Sequence, residues 1–568
     1  MTEPTHTSTA PINRVGEKAV HLPRRKRLKI RTSPDGFYAG FNTIIAITAK
    51  ILIGLLIVWA ASFPKEAGLI LADLQVWSTS TFGGWYVYAT AFYMVICLAL
   101  AFWPKVGSIR LGRQDERPEF SRFSWFSMMF GAGIGVGMLT YSTAEPIFHF
   151  ANNPDVIKGL SVSQDPDNVR NAYKWAMLHY GLTPWGCYGI VGLALAYFAF
   201  NRNQPLTFRS ALVPLFGKRL SGGLGHAVDI VAILATVIGV SVTIGFGVSQ
   251  FASGVFNITG MGWIADANGK PTLAAQVIAL VIIMSASTAS ALSGVNKGIK
   301  WLSNINMGLS IFLLLFFVAF GATFFAFKTF FLAIWDYFLA LPAMSVTVWR
   351  EGALAEWQAA WSIFYWAWWI AFAPFVGLFL ARVSRGRTIR EFVLGAMFVP
   401  SAVGLVWFSL VGGTAVNLEL SGIAQGAILN ADISAQLYQT INLILSPVMA
   451  KMMSFVIVIL LMTYLVTSAD SAILVINTVA SAGNESKKHA RHILIWGGIF
   501  IAVVAALLLA GGMDALKSAM ILGAVPFSIV MALMAVSLVK ALMFDRYRYR
   551  PAKLKDDTKK DVVAASQN

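Results

Sequence analysis

Residues 364–379 read FYWAWWIAFAPFVGLF, an uncharged apolar stretch with Pro374 and Gly377 in its midst. A helix needs about 20 apolar residues to cross roughly 30 Å of hydrocarbon, and a proline inside it deletes one backbone hydrogen bond and crowds the preceding turn. The stretch therefore predicts a membrane helix interrupted near Pro374. A second interruption is written at 127–146, SMMFGAGIGVGMLTYSTAEP, where Gly131, Gly133, Gly135 and Gly137 alternate. Each glycine costs a helix interior about 1 kcal/mol. Four together predict either unwound backbone, which a membrane tolerates only where it is buried in protein or lines a cavity, or close helix packing through Gly131 and Gly135. A dinucleotide fingerprint is the wrong reading, since no strand precedes the glycines and no soluble βαβ unit follows.

Dividing the rest of the chain at charges, prolines and glycines gives twelve candidate helices, starting near 41, 84, 122, 171, 224, 273, 303, 353, 390, 448, 492 and 518. The two interrupted stretches are the third and eighth of these. An offset of five inverts one five-helix unit relative to the other, so spans 3–7 and 8–12 are expected to form an inverted repeat with a midplane binding site, the plan of a secondary transporter. The expected fold is an all-α integral membrane protein: a disordered basic tail (1–40), spans 1–2 (41–104), the first repeat (122–327), an outer interfacial helix and loop (328–352), the second repeat (353–544) and a short basic tail (545–568).

Composition agrees. The 568 residues are 57% hydrophobic and 12% charged, against roughly 25% charged in a soluble domain, and apolar runs leave little room for one. The net charge of +17 is not a nucleic-acid signature, because 34 of the 44 Lys and Arg fall in segments on one side of the expected membrane, nine fall on the other, and Lys50 lies inside the first span. That bias predicts an even number of spans with both termini cytoplasmic. No apolar central region marks residues 1–35 as a cleavable signal. RRKRLKIR at 24–31 and RYRYR at 546–550 read as topology anchors or as contacts to anionic lipid. Cys97 and Cys187 both lie in apolar runs, so no disulfide framework or metal cluster is expected.

Two clusters carry chemistry. Tyr180, Trp185 and Tyr188 in the fourth span, with Phe364, Tyr365, Trp366, Trp368, Trp369 and Phe372 in the eighth, lie near Pro184 and Pro374. Aromatics at helix ends ordinarily form interfacial belts; facing one another at mid-membrane they would cage a quaternary ammonium, since a desolvated cation gains about 2 kcal/mol over a ring face. The tenth span ends in MTYLVTSADSA, with Thr467, Ser468, Asp470 and Ser471, oxygen donors that suit a hard cation or bond back to their own helix. Asp470, Glu145 and Lys50 are ionisable groups inside the membrane and so candidate functional groups, though Lys50 is left without an assigned role. His149 and His179 are read as packing residues without metal-ligand companions.

These residues resemble the betaine/choline/carnitine transporter (BCCT) family over nearly the whole chain. The resemblance rests on FYWAWWIAFAPFVGLFLARVSRGRTIREF at 364–392, the Gly-rich third span ending in Glu145-Pro146, HxGxxPWxxY in the fourth span, and GVNKGIKWLSNIN at 294–306. It implies twelve helices with a LeuT-like inverted repeat, a homotrimer, and a bacterial inner-membrane location. It implies a substrate cage of Tyr180, Trp185 and Tyr188 facing Trp366 and Trp369, beside Gly133 and Gly135, with Tyr180 standing where relatives often have Trp. Sodium, the coupling ion, would be held by Thr467 and Ser468 with backbone near Met129 and Ala132; a second position would involve Thr236 and Phe375, although Val240 replaces a hydroxyl there. Gly135 stands where choline- and carnitine-type relatives tend to carry Asp, which points toward zwitterions.

The function expected is a sodium-coupled symporter importing a zwitterionic quaternary-ammonium or sulfonium solute such as glycine betaine or dimethylsulfoniopropionate by alternating access. A proton-coupled or exchange transporter of choline or carnitine is the nearest alternative, and a non-transporting solute-sensing receptor the alternative of another class. No cofactor, no other metal, no nucleic acid and no enzymatic activity is expected.

Overall fold

A computed structural model describes residues 27–133, 135–293, 300–484 and 490–548. The distal tails and residues 294–299 of GVNKGIKWLSNIN lie outside the described residues, as does residue 134 in the Gly-rich stretch. The described chain is helical, with no strand and only the isolated bridges Ser33–Ala39, Arg110–Thr388 and Ala265–Pro271. Helix boundaries follow local chemistry. Asn42 caps the first helix, Thr43–Ser62, by accepting the Ile45 amide, and Thr388 caps Ile389–Leu420 by accepting that of Glu391, each satisfying an amide that the first turn leaves orphaned. Pro64 opens the second helix at its first position, where its missing N–H costs nothing.

Among the described residues, eleven helices are long and apolar enough to cross a membrane. Four stretches depart from the expected division. The second helix runs Pro64–Phe102, starting well before residue 84; at about 1.5 Å per residue its 39 residues reach about 58 Å, longer than the roughly 30 Å of hydrocarbon requires, and its first turns carry the charges of Lys65, Glu66 and Asp73. Thr323–Met344, expected as part of the outer connection, is itself 22 residues of sufficient hydropathy. The third span consists of two shorter helices, Arg122–Gly133 and Gly135–Ala151, and the last two expected spans are one run, Ala490–Arg548, divided by non-helical Gly511 and by Gly512 at φ 65°, a left-handed conformation that glycine adopts without strain.

The eighth span also differs from expectation. Gly352–Gln358 passes through a π turn, Ala359–Ile363, into Phe364–Val383, and Pro374 and Gly377 lie within that last helix without ending it. Pro374 costs one hydrogen bond, which membrane helices absorb by local adjustment. Gly377 serves packing instead. A methyl group there would come within 2.4 Å of the Val191 side chain, so its absence lets the fourth and eighth spans approach closely.

The fourth span, Asn168–Asn201, and the eighth, Gly352–Val383, are each 94% buried over their most apolar windows, whereas Thr43–Ser62, Trp301–Phe320 and Thr323–Met344 are 22–28% buried. The two aromatic-rich spans are thus the centre of the molecule, wrapped by helices that face lipid. Cys97 and Cys187, both free and buried, belong to this interior. On one side of the bundle Leu111 and Ile389 exchange backbone bonds with Arg387 and Ile109 (2.7 and 2.8 Å), clasping the loop after span 2 to the loop after span 8. Arg387 completes the clasp: it pairs with Glu391, donates to the Phe120 carbonyl at 2.8 Å and stacks 4.0 Å from the Trp125 ring.

A candidate binding site between the third, fourth and eighth spans

On a helix, residues three and four apart share a face, and Tyr365, Trp368 and Trp369 accordingly project together from the eighth span. Trp368 and Trp369 are nearly parallel (5.8 Å between centroids, 9°), and Tyr365 stacks on both at 6.3 and 6.2 Å. Tyr180 and Tyr188 of the fourth span meet Trp369 edge-on at 5.4 Å (87°) and 5.7 Å (85°), and Trp185 meets Tyr188 at 5.5 Å (83°). Right-angled contacts follow from the ring quadrupoles and build an aromatic corner, fully buried. Trp369 Nε1 donates to the His179 carbonyl at 3.1 Å, fixing its ring plane. The Tyr188 hydroxyl is buried with no partner among the described residues.

Not every expected residue joins this corner. Trp366, one position out of phase with Tyr365, turns toward His179 at 5.7 Å; Trp368 and Tyr365 hold the places beside Trp369 that the sequence reading assigned to it. Gly133 ends one helix and Gly135 begins the next. Among the described residues, Gly137 lies against the aromatics: its carbonyl accepts the Tyr180 hydroxyl at 3.3 Å and its missing side chain leaves room for Trp368. At Gly135 a methyl group would fall 2.3 Å from the Tyr464 ring, so small size there is demanded by the tenth span.

At the expected sodium position, Met129 and Ala132 fall within helical turns of Arg122–Gly133, and Met129 is fully buried. The Thr467 hydroxyl donates into its own helix, to the Thr463 and Tyr464 carbonyls (3.0 and 3.1 Å), and accepts from Asn306 Nδ2 at 3.1 Å. Ser468 is half-buried beside it. Thr236 donates to the Ala232 carbonyl at 2.7 Å, and Phe375 packs its ring on Phe372; neither side chain has a described contact with the other.

The largest departure concerns His149 and His179, which do have a companion. Their nitrogens and a Glu145 oxygen lie within 4.8 Å of one another, all buried. Glu145 Oε1 meets His179 Nδ1 and, at 3.2 Å, His149 Nε2; Oε2 accepts the Tyr365 hydroxyl at 2.6 Å; His179 Nε2 meets the Ser362 hydroxyl at 2.9 Å. The His179 ring also stacks on Tyr365 at 4.8 Å. The i, i+4 spacing of Glu145 and His149 was legible in the sequence, but the third partner sits 34 residues away, and the π turn that brings Ser362 onto this face leaves no sequence signal. Two further groups find partners. Asp470 accepts from Ser290 (2.6 Å) and Ser471 (3.0 Å), tying the tenth span to the sixth. Lys50 lies 3.1 Å from His492 Nδ1 and 4.9 Å from the Tyr38 ring, so its charge is held at the edge of the bundle.

Comparison with known proteins agrees with this architecture. The model of the BCCT, betaine/carnitine/choline family of transporters matches residues 44–547. The chain is 36% identical over 517 residues to the glycine betaine transporter OpuD of Bacillus subtilis, covering 91% of this chain and 96% of that protein. It is 34% identical over 518 residues to a glycine betaine transporter of Acinetobacter baylyi (89% and 74% covered) and 35% identical over 519 residues to a high-affinity choline transport protein of Escherichia coli (90% and 73%). A match over nearly the whole length, on a helical chain whose buried centre is an aromatic corner, makes this chain a member of the BCCT family of multi-pass membrane transporters.

Proposed function

We propose that the protein imports a zwitterionic quaternary-ammonium or sulfonium solute, such as glycine betaine or dimethylsulfoniopropionate, together with sodium. The observation that carries this reading is the corner of Tyr180, Tyr188 and Trp369. A cation binds within about 6 Å of a ring centroid on its face, and three differently oriented faces suit a trimethylammonium or dimethylsulfonium head, which has no N–H to direct. The rings now touch at 5.4–5.7 Å, so the substrate parts them on entry, and their separation and closure belong to the alternating-access cycle. The orphaned Tyr188 hydroxyl supplies a buried donor for the carboxylate of a zwitterion. Two named relatives that carry glycine betaine point the same way.

Sodium would sit at Thr467 and Ser468, near the backbone of Met129 and Ala132, after Asn306 releases the Thr467 oxygen; Thr236 and Phe375 remain the weaker second position. The membrane frame proposed with it is twelve crossings in two inverted five-helix units, reached by counting the third span's two helices as one crossing, dividing the last run at Gly511–Gly512 and leaving Thr323–Met344 at the surface. Both termini would be cytoplasmic, the membrane the bacterial inner membrane, and the assembly a homotrimer in contact with lipid.

The test is uptake of labelled glycine betaine into proteoliposomes with and without an inward sodium gradient, with choline, carnitine and dimethylsulfoniopropionate as competitors. Accumulation above equilibrium that requires the gradient supports the reading. Uptake indifferent to sodium replaces it with proton coupling or exchange, and binding without accumulation replaces it with a receptor.

A further inference from the structure

The buried cluster of Glu145, His149, His179, Tyr365 and Ser362 admits two hydrogen-bond assignments that differ by one proton. In the first, Glu145 is a carboxylate. Its Oε1 accepts from His179 Nδ1–H and His149 Nε2–H, and its Oε2 accepts from the Tyr365 hydroxyl at 2.6 Å. Both imidazoles are neutral, His179 Nε2 offers its lone pair to the Ser362 hydroxyl at 2.9 Å, and His149 Nδ1 is left as a buried lone pair without a hydrogen-bond partner among the described residues. The cluster then carries one negative charge. In the second, a proton occupies His179 Nε2. Ser362 rotates its hydroxyl from donor to acceptor, no heavy atom moves, and the cluster is neutral.

We propose that this cluster is a proton-binding site whose occupancy is linked to occupancy of the aromatic corner. The connection is covalent and short. His179 supplies the carbonyl that holds Trp369 Nε1 at 3.1 Å. Tyr365, hydrogen-bonded to Glu145, meets Tyr180 edge-on at 5.3 Å and stacks on Trp369 at 6.2 Å. The titratable groups facing the cluster are Tyr141 on its own span, Tyr180 on the fourth and Tyr365 on the eighth; beyond them lie two charge pairs, Lys174 with Asp155 at 3.0 Å behind Trp175 and Trp357, and Lys517 with Asp514 at 3.4 Å, with Lys517 5.8 Å from the Phe364 ring. No cation in this set neutralises Glu145. A substrate cation entering the corner therefore meets an unbalanced negative charge through low-dielectric protein, and it favours the deprotonated cluster. By linkage the proton lowers affinity for the cation by the factor that the cation lowers affinity for the proton, typically between several-fold and about a hundredfold. A zwitterion, carrying its own carboxylate, is affected less than choline.

The experiment rests on the transport reading only for its ligands, and a ligand-free measurement keeps the two apart. Infrared difference spectra of the ligand-free protein between pH 5 and pH 8.5 should show carboxylate and imidazole bands that Glu145→Gln removes. Calorimetric titration with choline chloride and with glycine betaine, in buffers of different ionisation enthalpy, should show proton release on choline binding and affinity falling about tenfold on acidification, with a smaller change for glycine betaine. Glu145→Gln should make choline affinity independent of pH. Ser362→Ala, which leaves the rings in place, should shift the infrared midpoint to lower pH, because it removes an acceptor from the charged imidazolium, and bonds to charged groups are the stronger. Absence of titrating bands in the wild type, or their persistence in Glu145→Gln, overturns the site. Choline binding with no proton exchange overturns the linkage. Titrating bands in a protein that binds neither solute leave the proton site standing and sink the transport reading instead.

Discussion

Trp369 touches more of the proposed site than any other ring, with Tyr180 and Tyr188 at right angles to it and Tyr365 and Trp368 stacked beside it. Replacing it by Ala removes a cation–π face worth about 2 kcal/mol, a loss of roughly 30-fold in affinity, while Phe should keep part of it; radioligand binding in detergent measures both. Tyr188→Phe deletes only the orphaned hydroxyl. It should weaken glycine betaine binding by about 1–3 kcal/mol, the worth of a lost buried partner, and leave choline unchanged; an equal loss for both solutes would remove the proposed carboxylate contact. Tyr180, Trp185, Tyr188 and Trp369 were named from the family resemblance, since the residues alone left ordinary helix packing equally open, and the structure brings these four rings together. Trp366 too was carried over from the resemblance, and a stretch holding six aromatics does not itself declare which helical face looks inward, since one residue turns the answer by about 100°.

At the scale of helices, the glycines and prolines marked special positions without saying what each one does. Pro374 and Gly377 read as a break, yet the helix passes through them and the irregular turn lies upstream at Ala359–Ile363, where no glycine or proline announces it; π turns commonly occur at functional sites. Thr467 read as a cation ligand and also as a residue bonded to its own helix, and it makes the second kind of bond while accepting from Asn306. Thr467→Ala should therefore raise the sodium concentration for half-maximal uptake by about tenfold if the hydroxyl is a ligand, an effect comparable to losing one modest hydrogen bond. Unchanged sodium dependence would discard that position. Arg387 presents a different case, since its side chain is 2% exposed against 27% for Glu391 and it holds two loops and the start of the third span. Arg387→Ala leaves the half-buried Glu391 carboxylate short of its main partner and strips a buried guanidinium from the Phe120 carbonyl and the Trp125 ring, and should destabilise the protein on the order of 2 kcal/mol. Arg387→Lys, which keeps the charge but loses the flat guanidinium over Trp125, should fall between the two in a thermal-unfolding assay.

For the molecule as a whole, membrane class and an all-helical fold were readable from hydropathy, because lipid imposes them on every span alike. Contacts such as Glu145 to His179 were not, because they depend on how separate helices are turned toward one another. The positive-inside bias and proposed sodium coupling give a joint prediction. If sodium enters with a zwitterion, each cycle carries net positive charge inward, and a potassium-diffusion potential of 100 mV, negative inside, adds roughly 2.3 kcal/mol per sodium to the driving force. Betaine accumulation in proteoliposomes should rise accordingly, and indifference to the potential would mean electroneutral exchange. Finally, the burial of Cys97 and Cys187 decides how such movements can be watched. Since the chain's two thiols are sealed inside the packed centre, a maleimide dye added to the folded native protein should find almost nothing to label. A single cysteine placed on a lipid-free outer or inner loop would then report on dark background, and distances between probes on spans 3 and 8 could be followed through turnover without first stripping out the native thiols.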